Sequence, residues 1–162
     1  MKRRTAFVTA AAAAVTLAAS ATAAATAAAT PSMGLKSELL VRSAAGEFRL
    51  ADRDMRFFLG AGEPTDIALV RATLEAGGKT GWHKHPGQSM VLVEKGVMTI
   101  QEAHHRKCVT ETVPAGQSFE HPEGPHNFIN NGPEQLVFYV AYFVPAGAAP
   151  LLIDTPAPHP CS

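Results

Sequence analysis

Apolar and polar residues alternate over most of the chain beyond residue 34, and no stretch there shows a trustworthy helical period. Short runs rich in Val, Ile, Phe, Tyr and Thr are separated by clusters of Gly, Pro and Asp, the pattern of strands and turns. SELLVRS and EFRLA come first, divided by Ala44-Ala45-Gly46, and MRFFLG reads as a third strand. DIALVRATLEA alternates cleanly: Ile67, Leu69 and Arg71 share one face, and Ala68, Val70 and Ala72 share the other. SMVLVE and VMTIQEA flank Lys95-Gly96, which predicts a hairpin. KCVTETV runs into Pro114, and HNFIN meets the turn signal Asn131-Gly132-Pro133. QLVFYVAYFVP is the most apolar run and is expected to cross the core. Many short strands with no helices between them predict an all-β fold, a single barrel or sandwich.

The first thirty residues depart from this pattern. Lys2, Arg3 and Arg4 precede a long Ala-rich stretch with small-x-small sites, the layout of a secretory signal peptide. Arg3-Arg4 also permits twin-arginine export. A membrane anchor is the alternative, but Ala is weakly apolar and Thr interrupts the run short of the ~20 strongly apolar residues of a span. The expected organisation is a signal peptide over 1–29, a linker over 30–37, a β-barrel over 38–145 and a Pro-rich tail over 146–162. Residence outside the cytoplasm follows, with no stable membrane span once the signal is removed. The leader holds three of the 14 basic residues and none of the 14 acidic ones, so the remainder is mildly acidic. That argues against a nucleic-acid partner, which calls for a basic footprint.

Export would place Cys108 and Cys161 in an oxidising compartment, where two cysteines normally pair. A bridge would fasten the tail TPAPHPCS, which cannot form regular structure by itself, to the body. The alternative is two free thiols, one of them a metal ligand.

His83 and His85 stand at i and i+2, so on a strand their imidazoles share a face and could chelate one ion. A third ligand must come from His104, His105, His121, His126 or His159. His104-His105 follows a strand and reads as a solvent-facing turn, with an accessory metal site as the alternative. His121 could line the mouth of the barrel, but exposure is the expected reading, and His159 is expected to be solvated in the tail. Trp82 should point away from the ligand face, into core or an interface. Tyr139 and Tyr142 lie on opposite faces of the last strand, so one of them could face a cavity.

Two motifs join these residues. TGWHKHPGQSMVLVEKG resembles the first motif of the cupin superfamily, with Gly77 five residues ahead of His-x-His and Gly96 closing it. GQSFEHPEGPHNFINNG resembles the second, with Gly116, Pro122, Gly124, His126 and Asn130 in sequence. HxHPG and the tail IDTPAPHPC are also similar to small secreted bacterial cupins. The resemblance implies a jelly-roll β-barrel with a metal site at His83, His85 and His126. Two positions depart from the pattern. Ser89 stands where the family carries its glutamate, and one residue rather than two separates Gly124 from His126.

A three-histidine site with positions left for water or substrate is the arrangement of a catalytic metal. Cupin-like enzymes of that kind, such as cysteine dioxygenase, use ferrous iron. The resemblance therefore implies one divalent transition metal, Fe2+ ahead of Zn, Ni, Cu or Mn, and a small-molecule dioxygenase. The alternative is a non-catalytic module binding a small molecule or a metal, or a metal-free barrel. No catalytic acid or base is identifiable. Gln88 is a candidate weak ligand or hydrogen-bond donor behind the histidines, with Ser89 beside it; ordinary strand and turn packing is the alternative for both. A small-molecule substrate or ligand is the expected partner, together with a homodimer formed through an edge strand, for which the long apolar last strand is the candidate.

Overall fold

The computed structural model describes residues 29–121 and 124–162, so the segment read as a signal peptide lies almost wholly outside the described residues. Among the described residues there are ten strands and no helix. They are β1 (Met33–Asp52), β2 (Phe57–Lys79), β3 (His83–Lys84), β4 (Gln88–Lys95), β5 (Val97–His104), β6 (Lys107–Pro114), β7 (Ser118–His121), β8 (His126–Ile129), β9 (Leu136–Pro145) and β10 (Ile153–Asp154).

The strands form two antiparallel faces. One runs β1-β2-β9-β4-β7 and the other β10-β3-β8-β5-β6. The pair Lys79↔Ile129 joins them at one corner, which makes a nearly closed all-β barrel. Val70, Leu74, Val91, Val93, Phe138 and Val140 line the inside of the first face. Met98, Ile100 and Phe128 meet them from the second. Burying each such side chain stabilises the fold by about 1.5–3 kcal/mol. The alternation in β2 follows the expected sides, with Ala68, Val70 and Ala72 turned inward.

The local pattern and the fold differ in three places. The four predicted N-terminal strands are two long ones, β1 and β2, paired along their whole length. Ala44-Ala45-Gly46 is a register shift within β1, with Gly46 at φ +64°, and not a turn. The turn lies at Arg53–Arg56, where Asp52 Oδ1 accepts from the Met55 amide at 2.9 Å. Lys95-Gly96 is not a hairpin either. β4 pairs with β7 and β9, and β5 with β6 and β8, so Gly96, at φ +86°, carries the chain from one face to the other. Val93 and Met98, on either side of Gly96, are both buried in the core. Third, β9 is flanked on both sides, by β2 and β4, and is not an edge. The edges of that face are β1, which pairs with β2 alone, and β7, which pairs with β4 alone.

Beyond Pro145 the tail crosses back over the barrel. Arg42 Nη1 donates to the Ala148 carbonyl at 2.8 Å, and the Gly147 amide donates to Asp66 Oδ2 at 3.0 Å. Arg42 also pairs with Asp66, at 2.7 Å from Nη2 to Oδ2. β10 then pairs with β3, Asp154 opposite His83. A disulfide joins Cys108 on β6 to Cys161, whose Cα atoms are 5.0 Å apart. Neither thiol is left to bind a metal.

A candidate three-histidine metal centre

β3 and β8 are neighbours, and their register sets His83 directly opposite His126. The ring centroids of His83 and His126 are 4.1 Å apart, those of His85 and His126 4.9 Å, and those of His83 and His85 5.0 Å. One ligating atom from each of the three lies within 4.8 Å of the other two. His85 lies just past the end of β3, and its ring still joins that of His83, while the second motif delivers the third histidine across the sheet.

Each ring is oriented by a backbone carbonyl. Nδ1 of His83 lies 2.9 Å from the Gly81 carbonyl, Nδ1 of His85 2.8 Å from that of Leu151, and Nδ1 of His126 3.1 Å from that of Gly124. A carbonyl only accepts, so each Nδ1 carries the proton and donates it. Nε2 is then the lone-pair nitrogen, the tautomer that ligating histidines adopt. Gly81 makes its own contribution. It sits at φ +74°, and a Cβ there would run into the Thr30 carbonyl.

Burial keeps these rings neutral. His83 is pushed down to about 4, chiefly by desolvation, with its neighbours His85 and His121 adding to the effect. His126 is lowered much further, by burial first and then by His83, His121 and His85. Burial also lowers His85. His126 Nε2 is buried with no hydrogen-bond partner. An unsatisfied buried acceptor costs about 1–3 kcal/mol, and a cation would satisfy it. Three neutral imidazoles with lone pairs turned to a common point are a donor set for a divalent transition ion. The residues present fit the group.

The surroundings separate the other candidates. Ser89 is buried, pairs with His121 on β7 and Tyr142 on β9, and its Oγ has no hydrogen-bond partner. Gln88 is on the opposite, exposed face of β4, turned away from the histidines. Tyr142 is the inward tyrosine, 4.9 Å from His85 between ring centroids, and burial raises its hydroxyl well above the usual range. Trp82 is buried at 5% exposure, as its position between Gly81 and His83 predicted. His104, His105 and His159 are exposed.

His121 overturns its expectation. It is 4% exposed, its ring centroid is 3.5 Å from that of His126, and its Nε2 is 3.3 Å from Glu102 Oε1. Burial raises the Glu102 carboxyl. The motif's missing glutamate held the signal: Ser89 vacates that place, and the residue across the strand from Ser89 is His121. Asn130, the last motif residue, is a brace. Its Nδ2 faces the carbonyls of Leu74, Glu75 and Glu134 at 3.0, 3.1 and 2.7 Å, and its Oδ1 accepts from the Gly132 amide.

Inside the barrel, next to His83 and His85, lies a cavity of about 250 Å³. Val70, Phe128, Phe138, Tyr142, Leu151 and Leu152 form much of its wall, and among the described residues no Asp, Glu, Lys or Arg lines it.

A family model described as Cupin domain matches residues 70–142. Among solved structures, the chain is similar to an oxalate oxidase in complex with the substrate analogue glycolate, at 25% identity and a TM-score of 0.43, covering 48% of this chain and 41% of that one. It is also similar to a variant of oxalate decarboxylase from Bacillus subtilis, at 17% identity and a TM-score of 0.48, covering 54% of this chain and 24% of that one. The chain therefore spans less than half the length of these two structures. No curated protein matches it.

Proposed function

We propose that the protein, whose residues 70–142 match a cupin-domain model, binds one divalent metal on His83, His85 and His126 and acts there on a small, uncharged, mostly apolar molecule. The carrying observation is the common arrangement of the three rings, each Nδ1 donating to a carbonyl and each Nε2 left to ligate. The ligand class follows from the cavity. A cavity of about 150 Å³ holds benzene, so about 250 Å³ takes a one-ring molecule or its equivalent. Its walls offer apolar contact and no charge, which suits a neutral body carrying one metal-binding oxygen.

The reaction we assign is oxygenation. A bound ferrous ion would supply a place where oxygen and a substrate oxygen meet. The chain's own residues do the rest. The carbonyls of Gly81, Leu151 and Gly124 hold the ligand rings, Phe128, Phe138 and Val140 exclude water, and Tyr142 presents a buried hydroxyl beside His85. The Cys108–Cys161 disulfide supports an oxidising compartment outside the cytoplasm as the place of action.

Elemental analysis of the purified chain beside His83→Ala/His126→Ala tests the reading. Near-stoichiometric metal that disappears in the variant is the expected result, followed by oxygen uptake in a screen of small phenols and diketones. Metal retained by the variant, or none after anaerobic loading with Fe2+, Zn2+ and Cu2+, overturns it. Thermal stabilisation by a ligand without product would leave a binding module in place of an enzyme.

A further inference from the structure

The three orienting carbonyls are not equivalent. Those for His83 and His126 come from two residues upstream of each ligand, Gly81 and Gly124. The carbonyl for His85 comes from Leu151, 66 residues away in the C-terminal tail. Two ligands are therefore oriented by their own loops, and the third only when the tail is in place.

We propose that the C-terminal strap, residues 146–162, is a positioning element of the metal centre: it holds His85 with Nε2 inward, and its anchors determine how well the third ligand is preorganised. This rests on the three-histidine reading above. The strap is fastened at its start, middle and end. Arg42 and Asp66 hold residues 147–148. β10 pairs with Lys84 and His83, and the Thr155 amide donates to the Trp82 carbonyl at 2.8 Å. The Cys108–Cys161 bond closes the far end on β6, where Cys161 Sγ is 3.5 Å from the Glu102 carbonyl. No hydrogen-bonded sheet of its own holds this Pro-rich segment beyond the two residues of β10. Beside these anchors, Ala148 and Leu151 pack against the core and the Ala146 amide donates to the Pro64 carbonyl; a covalent anchor at the far end further narrows the states the segment can visit. Leu151 and Leu152 also wall the cavity, so the segment that aims the ligand shapes the space beside it.

Loss of a group that orients a metal ligand typically weakens metal binding about 10–100-fold. The test compares the full chain with Cys108→Ser/Cys161→Ser and with Thr155→Pro, which removes the amide that bonds Trp82 and leaves the disulfide intact. Two readouts are taken: imidazole 1H–15N correlations of the metal-free proteins, which report the tautomer of each ring, and titration with Co2+ alone. His83 and His126 are expected to stay Nδ1-protonated in all three proteins. His85 is expected to lose that single tautomer in both variants, with Co2+ affinity falling about tenfold or more. Retained His83 and His126 signals certify the fold, and Thr155→Pro carries the comparison alone if the double variant does not fold. An unchanged His85 tautomer with unchanged Co2+ affinity overturns the proposal while leaving the metal centre standing. A wild-type chain that binds no Co2+ overturns the metal centre and the strap's role together.

Discussion

Two regions hold the same site by different physics. The barrel framework presents His83 and His126 from paired strands, both rings almost wholly buried and packed near Phe128. The strap reaches His85 through one carbonyl and otherwise lies half-exposed, with Leu151 and Leu152 only partly covered. Framework ligands are fixed by burial, which cannot be relaxed without opening the core. The strap ligand is fixed by anchors spaced along a segment with little regular structure. A metal site divided in this way has a rigid half and a conditional half.

The largest expected effect lies in the framework. Phe128 is 2% exposed, and its ring meets those of His83, His126 and Phe138. Phe128→Ala should cost about 3–5 kcal/mol of stability in urea unfolding. If framework and strap are distinct, it should also disturb His83 and His126 more than His85.

A middle-sized effect comes from pH. Unfolded histidine takes up a proton near pH 6.5, whereas His83 in the fold does so only near 4, because burial disfavours the charged ring. Between those values the unfolded chain binds more protons. The metal-free protein should therefore lose stability as pH falls from about 6.5 toward 4, by roughly 3 kcal/mol for this residue. Chemical denaturation at pH 7.0 and pH 4.5 checks it. His83→Gln should remove that share and leave the part that His126 and His85 contribute. If it does not, the burial of the framework histidine is not what sets the acid limit.

The smallest effect belongs to the strap. Leu151→Ala trims a partly buried side chain and keeps the backbone carbonyl that His85 needs. It should cost about 1 kcal/mol or less and leave Co2+ affinity unchanged, while the enlarged cavity accepts bulkier ligands in a thermal-shift screen. A large drop in metal affinity would mean that the side chain, and not the carbonyl, places His85.

How much of this was legible in the chain differs residue by residue. Period-two alternation separated the two faces of β2 and set Tyr139 and Tyr142 on opposite sides of β9, because side-chain direction on a strand is a local property; which side is inward came from the fold. His-x-His and the second motif brought His83, His85 and His126 forward, since both spacings act within a strand or a single turn. Two cysteines sufficed for their own pairing. The sequence by itself determined the all-β class, the three histidines that come together as a candidate metal centre, and the disulfide partners.

Tertiary structure alone decided which strands are neighbours. A Gly after Lys95 says that the chain turns, but not that β4 and β5 part to opposite faces. His121 reads as a polar residue beside Glu120 and Pro122, and becomes buried only because β7 pairs with β4 at Ser89. The Leu151 carbonyl has no signature at all, because every residue has one. Its meaning comes from a tail folded back across 66 residues onto His85, and closure over that distance is set by the whole barrel and its anchors rather than by any local pattern.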